Sequence, residues 1–171
     1  MQIIKYIILF LIFIASSMLG KLLSKKYEER LEELEELKTA LNFFKTKIKF
    51  TYNTIPEIFK EISENTTQNV SYIFKLTIKN LKENTISKAF DKAIEDSRNT
   101  TNLTDEDARV LKLLSKQLGN TDIEGQVSQI EITENFLDVQ IKQAQEEKDK
   151  NQKLYQKLGT TIGLVIVILL V

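Results

Sequence analysis

The sequence predicts an all-α protein: a membrane-anchored, compact helical bundle with two long antiparallel helices continuous with N- and C-terminal transmembrane segments. Apolar segments stand at both ends of the 171-residue chain. The middle is rich in charge and contains the only proline, so long helices can run uninterrupted. The isoleucine-rich stretches lack the two-residue alternation of half-buried strands, and this leaves helices as the prediction throughout.

The first apolar segment runs from Ile3 to Leu23 and is interrupted by Lys5 and Lys21. At about 1.5 Å per residue its length matches a hydrocarbon core roughly 30 Å thick. An alternative is a signal peptide cleaved after Ser17, which would make a secreted, surface-tethered binding protein. The apolar run is longer than a usual signal core and favours an uncleaved anchor.

The second apolar segment runs from Leu158 to Val171. At about 14 residues it is shorter than the roughly 17–25 of a spanning helix, so full crossing stays open. Lys153 and Lys157 could snorkel from below a shallow or thinned insertion. We therefore divide the chain into an N-terminal transmembrane anchor (1–23), a helical bundle (24–157) and a C-terminal transmembrane or membrane-inserted segment (158–171).

Basic residues flank both apolar segments on the side of the bundle. They are Lys21, Lys25, Lys26, Arg30, Lys148, Lys150, Lys153 and Lys157. The positive-inside rule then places the bundle in the cytoplasm.

Helical periodicity and capping residues predict the elements of the bundle. A long helix should run from Ser24 to about Tyr52, with an apolar stripe at Tyr27, Leu34, Leu37, Leu41, Phe44, Ile48 and Tyr52 and a glutamate-rich, solvated face between residues 28 and 36. Pro56 opens a short helix, and broad apolar faces predict two more over 70–81 and 86–94. Thr104 should cap the next helix, which ends where Gly119 can adopt a left-handed conformation. The last helix begins near Asp122 and has no stop before the second apolar segment.

Both long helices carry apolar residues on a second face. Such a helix is either central in a bundle or offers one face to another protein. We expect Glu134 at the rim of the buried stripe. The candidate partner contacts are Phe43, Phe50, Gly119, Asn120, Asp122, Ile132 and Phe136.

The composition argues against catalysis. With no His and no Cys, the chain lacks an imidazole base, a thiol nucleophile and a zinc site of those ligands. The segment Gly159-Thr160-Thr161-Ile162-Gly163 lacks the lysine of a phosphate-binding loop and favours close helix packing instead. A formal net charge of zero gives no reason to expect nucleic acid. We expect no enzyme activity, cofactor, metal or small-molecule substrate; a membrane-bound hydrolase would need a polar pocket that the sequence does not indicate.

Short motifs along the whole chain resemble one family. They are Tyr27, Arg30, Leu31, Leu34, Leu37 and Leu41; Leu114, Gln117-Leu118-Gly119, Asp122 and Gln126; and Lys153-Leu154-Tyr155, Lys157-Leu158-Gly159 and Gly163. Together they resemble the stage III sporulation protein AB family of endospore-forming bacteria. Asn120-Thr121 and Phe90 depart from the family pattern.

The resemblance implies a membrane platform component of a secretion-like complex between mother cell and forespore. Its expected partners are the lipid bilayer, a cytosolic ATPase of the same complex and other membrane subunits, and its expected location is the cell membrane on the mother-cell side. Such proteins are similar to the inner-membrane platform protein of type II secretion. The alternative is a membrane-anchored coiled-coil scaffold of the cell envelope or division machinery.

Overall fold

The computed structural model describes residues 2–51 and 53–170, and within these ranges the chain forms six α-helices and no strand. The helices are α1 (Gln2–Phe50), α2 (Ile55–Asn65), α3 (Gln68–Asn80), α4 (Ile86–Asp96), α5 (Asp105–Ser115) and α6 (Ile123–Leu170). The all-α prediction is confirmed, and each apolar segment is part of a helix of almost 50 residues, 49 in α1 and 48 in α6. Tyr52, predicted to end the first stripe, lies outside the described residues.

The chain divides into two compact units. The terminal unit comprises Met1–Glu29 with Gln143–Val171, and the central unit comprises Arg30–Lys142. The long helices α1 and α6 contribute to both units. The predicted limits of the membrane segments, at residues 23 and 158, concern the lipid and stay predictions.

Four phenylalanines form the centre of the central unit. Phe44 of α1, Phe59 of α2, Phe74 of α3 and Phe90 of α4 are each at most 1% exposed. The ring centroids of Phe44 and Phe59 are 5.2 Å apart, and those of Phe59 and Phe74 are 5.1 Å apart, both in edge-to-face geometry. The short helices therefore pack against α1 around one core, so the central unit is a bundle and not the rod that a coiled-coil scaffold would form.

The helix starts follow the predicted capping chemistry. The backbone N–H of Thr54 donates to Glu57 Oε2 (2.7 Å) at the start of α2, beside Pro56. At the start of α5, Asp107 N–H donates to Thr104 Oγ1 (3.3 Å) and Thr104 N–H donates to Asp107 Oδ2 (2.7 Å). The predicted cap at Thr104 is confirmed.

The end of α5 comes earlier than predicted. The helix ends at Ser115 and is followed by turns over residues 116–120. Gly119 has the expected left-handed conformation, with φ of 72°. Within these turns the N–H of Leu118 donates to the carbonyl oxygens of Leu114 and Ser115, both at 3.3 Å, and its side chain is 1% exposed.

A buried ion pair joins α1 to α5. Arg30 Nε donates to Asp107 Oδ2 at 2.8 Å, and its Nη2 donates to Oδ1 at 3.0 Å. The side chains of Arg30 and Asp107 are 6% and 0% exposed. The bidentate geometry offsets the cost of burying both charges and fixes α1 against the first turn of α5.

Glu33 differs from the solvated face predicted for its glutamate-rich neighbourhood. It is 4% exposed, and its Oε1 accepts hydrogen bonds from the side-chain amides of Asn69 (2.7 Å) and Asn102 (3.0 Å). Its Oε2 accepts the backbone N–H of Asn102 at 2.8 Å. Hydrogen bonds from the two asparagines replace those that water would make to the carboxylate. Glu33 therefore connects α1 to α3 and to the loop before α5.

Candidate partner-binding surfaces and the close helix pair

In the terminal unit, α1 and α6 approach each other through glycines. A Cβ added at Gly20 would lie 2.5 Å from the carbonyl oxygen of Tyr155, and one at Gly159 would lie 2.8 Å from that of Ser16. The hydroxyl of Ser16 donates to the carbonyl oxygen of Gly159 at 2.7 Å. Only glycine allows the two backbones this approach, so the packing predicted for the Gly159–Gly163 segment is present.

The contact between α1 and α6 continues beyond the glycines with polar side chains. The rings of Tyr27 and Tyr155 are stacked with centroids 6.0 Å apart. Lys148 Nζ lies 3.7 Å from Glu28 Oε1. The order of these contacts shows that the two helices are antiparallel in this unit.

The outer faces of the helix pair are apolar and exposed. Phe10 is 64% exposed and Leu169 is 78% exposed. Both helices are long and apolar enough to cross a membrane. Contact with lipid would remove these faces from water.

In the central unit, α6 has one buried and one half-exposed apolar face. Ile130 and Leu137 are both 0% exposed and face the core. Ile132, Phe136 and Val139 follow steps of four and three residues on another face and are 45%, 47% and 52% exposed. We call these three residues the α6 stripe.

Phe43 and Phe50 of α1 are also solvent-accessible. Phe43 is 37% exposed and Phe50 is 73% exposed. Lys47 Nζ lies 5.2 Å from the ring centroid of Phe43, and Lys49 Nζ lies 5.4 Å from that of Phe50, so each ring has a cation over it. Phe43 also lines a groove of about 510 Å³ between α1 and α2.

The turn from Gly119 to Asp122 has clear structural contacts. A Cβ at Gly119 would lie 2.6 Å from Ile86 Cγ2. Asn120 Nδ2 donates to the carbonyl oxygen of Lys116 (2.8 Å), and Asp122 Oδ1 accepts the backbone N–H of Gly125 (2.9 Å). These contacts fix the turn and cap α6; a partner contact at Gly119, Asn120 or Asp122 stays a prediction.

Glu134 lies closer to the core than the predicted rim position. It is 9% exposed, and its Oε2 accepts a hydrogen bond from Lys45 Nζ at 2.6 Å. Lys45 Nζ also lies 3.8 Å from Glu131 Oε1, and Lys38 Nζ lies 2.5 Å from Asp138 Oδ1. These ion pairs join α1 to α6 in antiparallel orientation in the central unit. Sequence periodicity could not reveal them, because they depend on the register of two distant helices.

A helical bundle combined with a close pair of membrane-length helices defines the class of membrane-associated helical proteins. Within this class, the chain belongs to the stage III sporulation protein AB family, whose family model matches residues 5–171. The stage III sporulation protein AB of Bacillus subtilis (strain 168) is 25% identical over 161 residues, which are 93% of this chain and 94% of that protein.

A solved structure of stage III sporulation protein AB (SpoIIIAB) shares the fold. Its TM-score is 0.66 at 20% sequence identity, and the match covers 70% of this chain and 96% of the other. The helical arrangement is thus shared with that protein. The family and the two membrane-length helices together indicate association with a membrane.

Proposed function

We propose that this chain is a non-enzymatic membrane platform subunit of a secretion-like complex between mother cell and forespore. In this role it engages a cytosolic ATPase and other membrane subunits. Family membership supports a role in sporulation. The observation that carries the platform role is the α6 stripe, because a helix that is long and apolar enough to cross a membrane also presents this apolar face to solvent.

The charge distribution supports a location of the bundle in the cytoplasm. Lys21 near the end of the first apolar segment and three basic residues after it lie on the side of the bundle, as do four basic residues before the second segment, whereas the far end of the first segment has only Lys5. Positively charged flanks remain on the cytoplasmic side of membrane helices. An ATPase that uses cytosolic nucleotide can reach the bundle only from that side.

The α6 stripe has the chemistry of a protein interface. Aromatic residues, phenylalanine among them, are enriched in the cores of protein interfaces. Phe136 lies between Ile132 and Val139 and is half-exposed, so a partner could bury the remainder of its ring. Full burial of such a side chain contributes about 1.5–3 kcal/mol, so burial of the remaining half contributes about 1 kcal/mol.

The test compares two substitutions of exposed apolar residues by glutamate. Phe136→Glu places a charge in the α6 stripe, and Leu113→Glu places one on α5, where Leu113 is similarly exposed (44% against 47%). Crosslinking in sporulating cells, followed by mass spectrometry, measures capture of the ATPase. We expect wild type and Leu113→Glu to capture it and Phe136→Glu to capture about tenfold less.

Membrane content and circular dichroism must show that both variants are folded and inserted. Equal capture by folded Phe136→Glu would exclude the α6 stripe as the contact. A wild-type chain that captures no ATPase would exclude the platform role itself.

A further inference from the structure

A groove on the central unit combines an apolar floor with an acidic rim. Its residues come from α1 (Glu32, Glu35, Glu36, Thr39, Ala40, Phe43), from α2 (Glu61, Ile62, Asn65) and from the link to α3 (Thr66, Thr67). Ala40 and Ile62 form the floor and Phe43 forms one wall. A volume of about 510 Å³ is within the usual range of binding clefts, roughly 300–1,000 Å³.

The charged residues that line the groove are all acidic, and Lys47, whose Nζ lies beside the ring of Phe43, pairs with one of them, Glu61. Four glutamates line the groove, and among the described lining residues there is no lysine or arginine. The chain as a whole has 24 basic and 24 acidic residues, so the acidity is local and not a property of the composition. Such a rim attracts cations and repels the anionic surfaces of lipid and nucleic acid.

Two of the four glutamates already have partners. Glu36 accepts the backbone N–H of Thr67 at 2.6 Å, and Glu61 pairs with Lys47 at 2.6 Å. Glu32 and Glu35 are exposed, and neither has an ion-pair partner within the part of the chain that the structure describes. The two glutamates without an ion-pair partner, Glu32 and Glu35, therefore lie on one side of the groove, one turn apart on α1.

The spacing of the α1 glutamates costs stability in the isolated chain. Glu32, Glu35 and Glu36 are related by three and four residues, and like charges at these spacings destabilise a helix by about 0.2–0.5 kcal/mol per pair. A bound cation would relieve this repulsion. The groove therefore gains from a ligand that is both cationic and apolar.

We propose that this groove binds a basic amphipathic segment of a partner protein. An apolar side chain of that segment packs against Ala40, Ile62 and Phe43, and two lysine or arginine side chains pair with Glu32 and Glu35. This surface is separate from the α6 stripe, so it provides a second contact whose existence does not depend on the ATPase.

A photo-crosslinking residue in the full chain, expressed in sporulating cells, tests the occupant. Placed at Thr39, which is exposed and lines the groove, it should capture a peptide from another protein. The same residue at Thr100, exposed in the turn after α4, is the control. We expect about tenfold more crosslinked peptide from position 39, with at least two basic residues within one helical turn of an apolar residue.

Charge reversal tests the recognition. The variant Glu32→Lys with Glu35→Lys should reduce the crosslink at position 39 about tenfold, because two attractive contacts become repulsive. The control Glu83→Lys with Asp96→Lys changes the net charge equally at exposed positions outside the groove, and it should leave the crosslink unchanged. Added salt should weaken the wild-type crosslink.

Each other outcome overturns the proposal. These are capture of a second copy of this chain, of lipid, or of an acidic or neutral segment; equal yields at positions 39 and 100; or an unchanged crosslink in the folded double-lysine variant. The platform role is judged separately: ATPase capture without a basic peptide at Thr39 refutes only the groove, and the reverse result refutes only the platform role.

Discussion

Buried charge at three positions determines how the central unit is joined. Arg30 and Asp107 are separated by 77 residues in the sequence yet form a bidentate pair. Glu33, one turn along α1 from Arg30, accepts hydrogen bonds from Asn69 and Asn102. The same face of α1 thus uses one cation and one anion to position α3, α5 and the loop between α4 and α5.

The Arg30–Asp107 pair leads to a prediction about stability. Asp107→Asn should lower the free energy of unfolding by about 3–5 kcal/mol, because it leaves the Arg30 cation buried without its counterion. Adding Arg30→Met should restore part of the loss, since no unpaired charge remains and the introduced amide still offers an oxygen to the Thr104 cap. Chemical unfolding of the full chain in detergent, followed by circular dichroism, measures both. A double variant less stable than Asp107→Asn alone would contradict the argument.

A second residue-scale prediction concerns pH. The hydrogen bond from Lys112 lowers the pKa of Glu95, with a further contribution from the charge of Arg98. A carboxyl group with a lowered pKa in the folded state stabilises the protein at pH values above its ordinary pKa. This stabilisation is lost as the pH falls through the folded-state pKa. Lys112→Met should therefore raise the pKa of Glu95 toward its ordinary value, as measured by NMR titration of the carboxyl carbons.

Glu57 is the internal control for this titration. The backbone N–H of Thr54 lowers the pKa of Glu57, far from Lys112 in the sequence. The pKa of Glu57 should be the same in the wild-type protein and in Lys112→Met. An unchanged pKa of Glu95 in Lys112→Met would exclude Lys112 as its main partner.

For these residues, the sequence predicts contacts within one helical turn better than contacts between helices that are far apart in the chain. The cap at Thr104 depends on residues within one turn, so Thr104 and Asp107 could be assigned from spacing alone. The partners of Glu33, Arg30 and Glu134 lie on other helices, and no local pattern encodes which helices meet. The predicted solvated position of Glu33 is therefore wrong, whereas the predicted burial of its apolar neighbours Leu34 and Leu37 is confirmed.

The length of α1 and α6 depends on the absence of proline from both helices. The one proline, Pro56, lies in α2, and the four glycines within α1 and α6 do not end either helix. The periodicity of α6 showed two apolar faces but could not decide which was buried. That depends on the helices packed against it, and in the central unit only the face with Leu137 is buried.

The glycine contact in the terminal unit can be tested by disulfide formation. The natural chain has no cysteine, so Ser16→Cys with Gly163→Cys introduces a unique pair. A Cβ at Gly163 would lie 3.2 Å from Ser16 Cβ, close to the separation in disulfides. Mild oxidation should therefore form an intrachain disulfide.

Adding Gly20→Leu should slow this oxidation about tenfold, because the new side chain collides with the backbone at Tyr155 and separates the helices. Leu19→Ala changes a residue that is 60% exposed and should have no effect. Gel mobility before and after reduction measures the yield. Equal rates with leucine and glycine at position 20 would show that the helices do not meet there.

At the scale of the whole molecule, charge and hydrophobicity are segregated along the chain. Apolar residues dominate both ends, and the acidic groove and the α6 stripe both belong to the central unit. A platform subunit needs this combination, since membrane contact and partner contact must not compete for one surface. The order of residues predicts this segregation, whereas the groove depends on how α1 and α2 pack together, which no local pattern encodes.

The last prediction is the orientation of the bundle. Glu83→Cys introduces a single thiol at an exposed position of the central unit. With the basic flanks on the cytoplasmic side, a membrane-impermeant maleimide should not label it in intact protoplasts and should label it fully after lysis. Gln2→Cys, on the far side of the first apolar segment, is the matched control and should be labelled in intact protoplasts. Labelling of Glu83→Cys in protoplasts that still protect a cytosolic marker would reverse the orientation, and with it the access of a cytosolic ATPase to the α6 stripe.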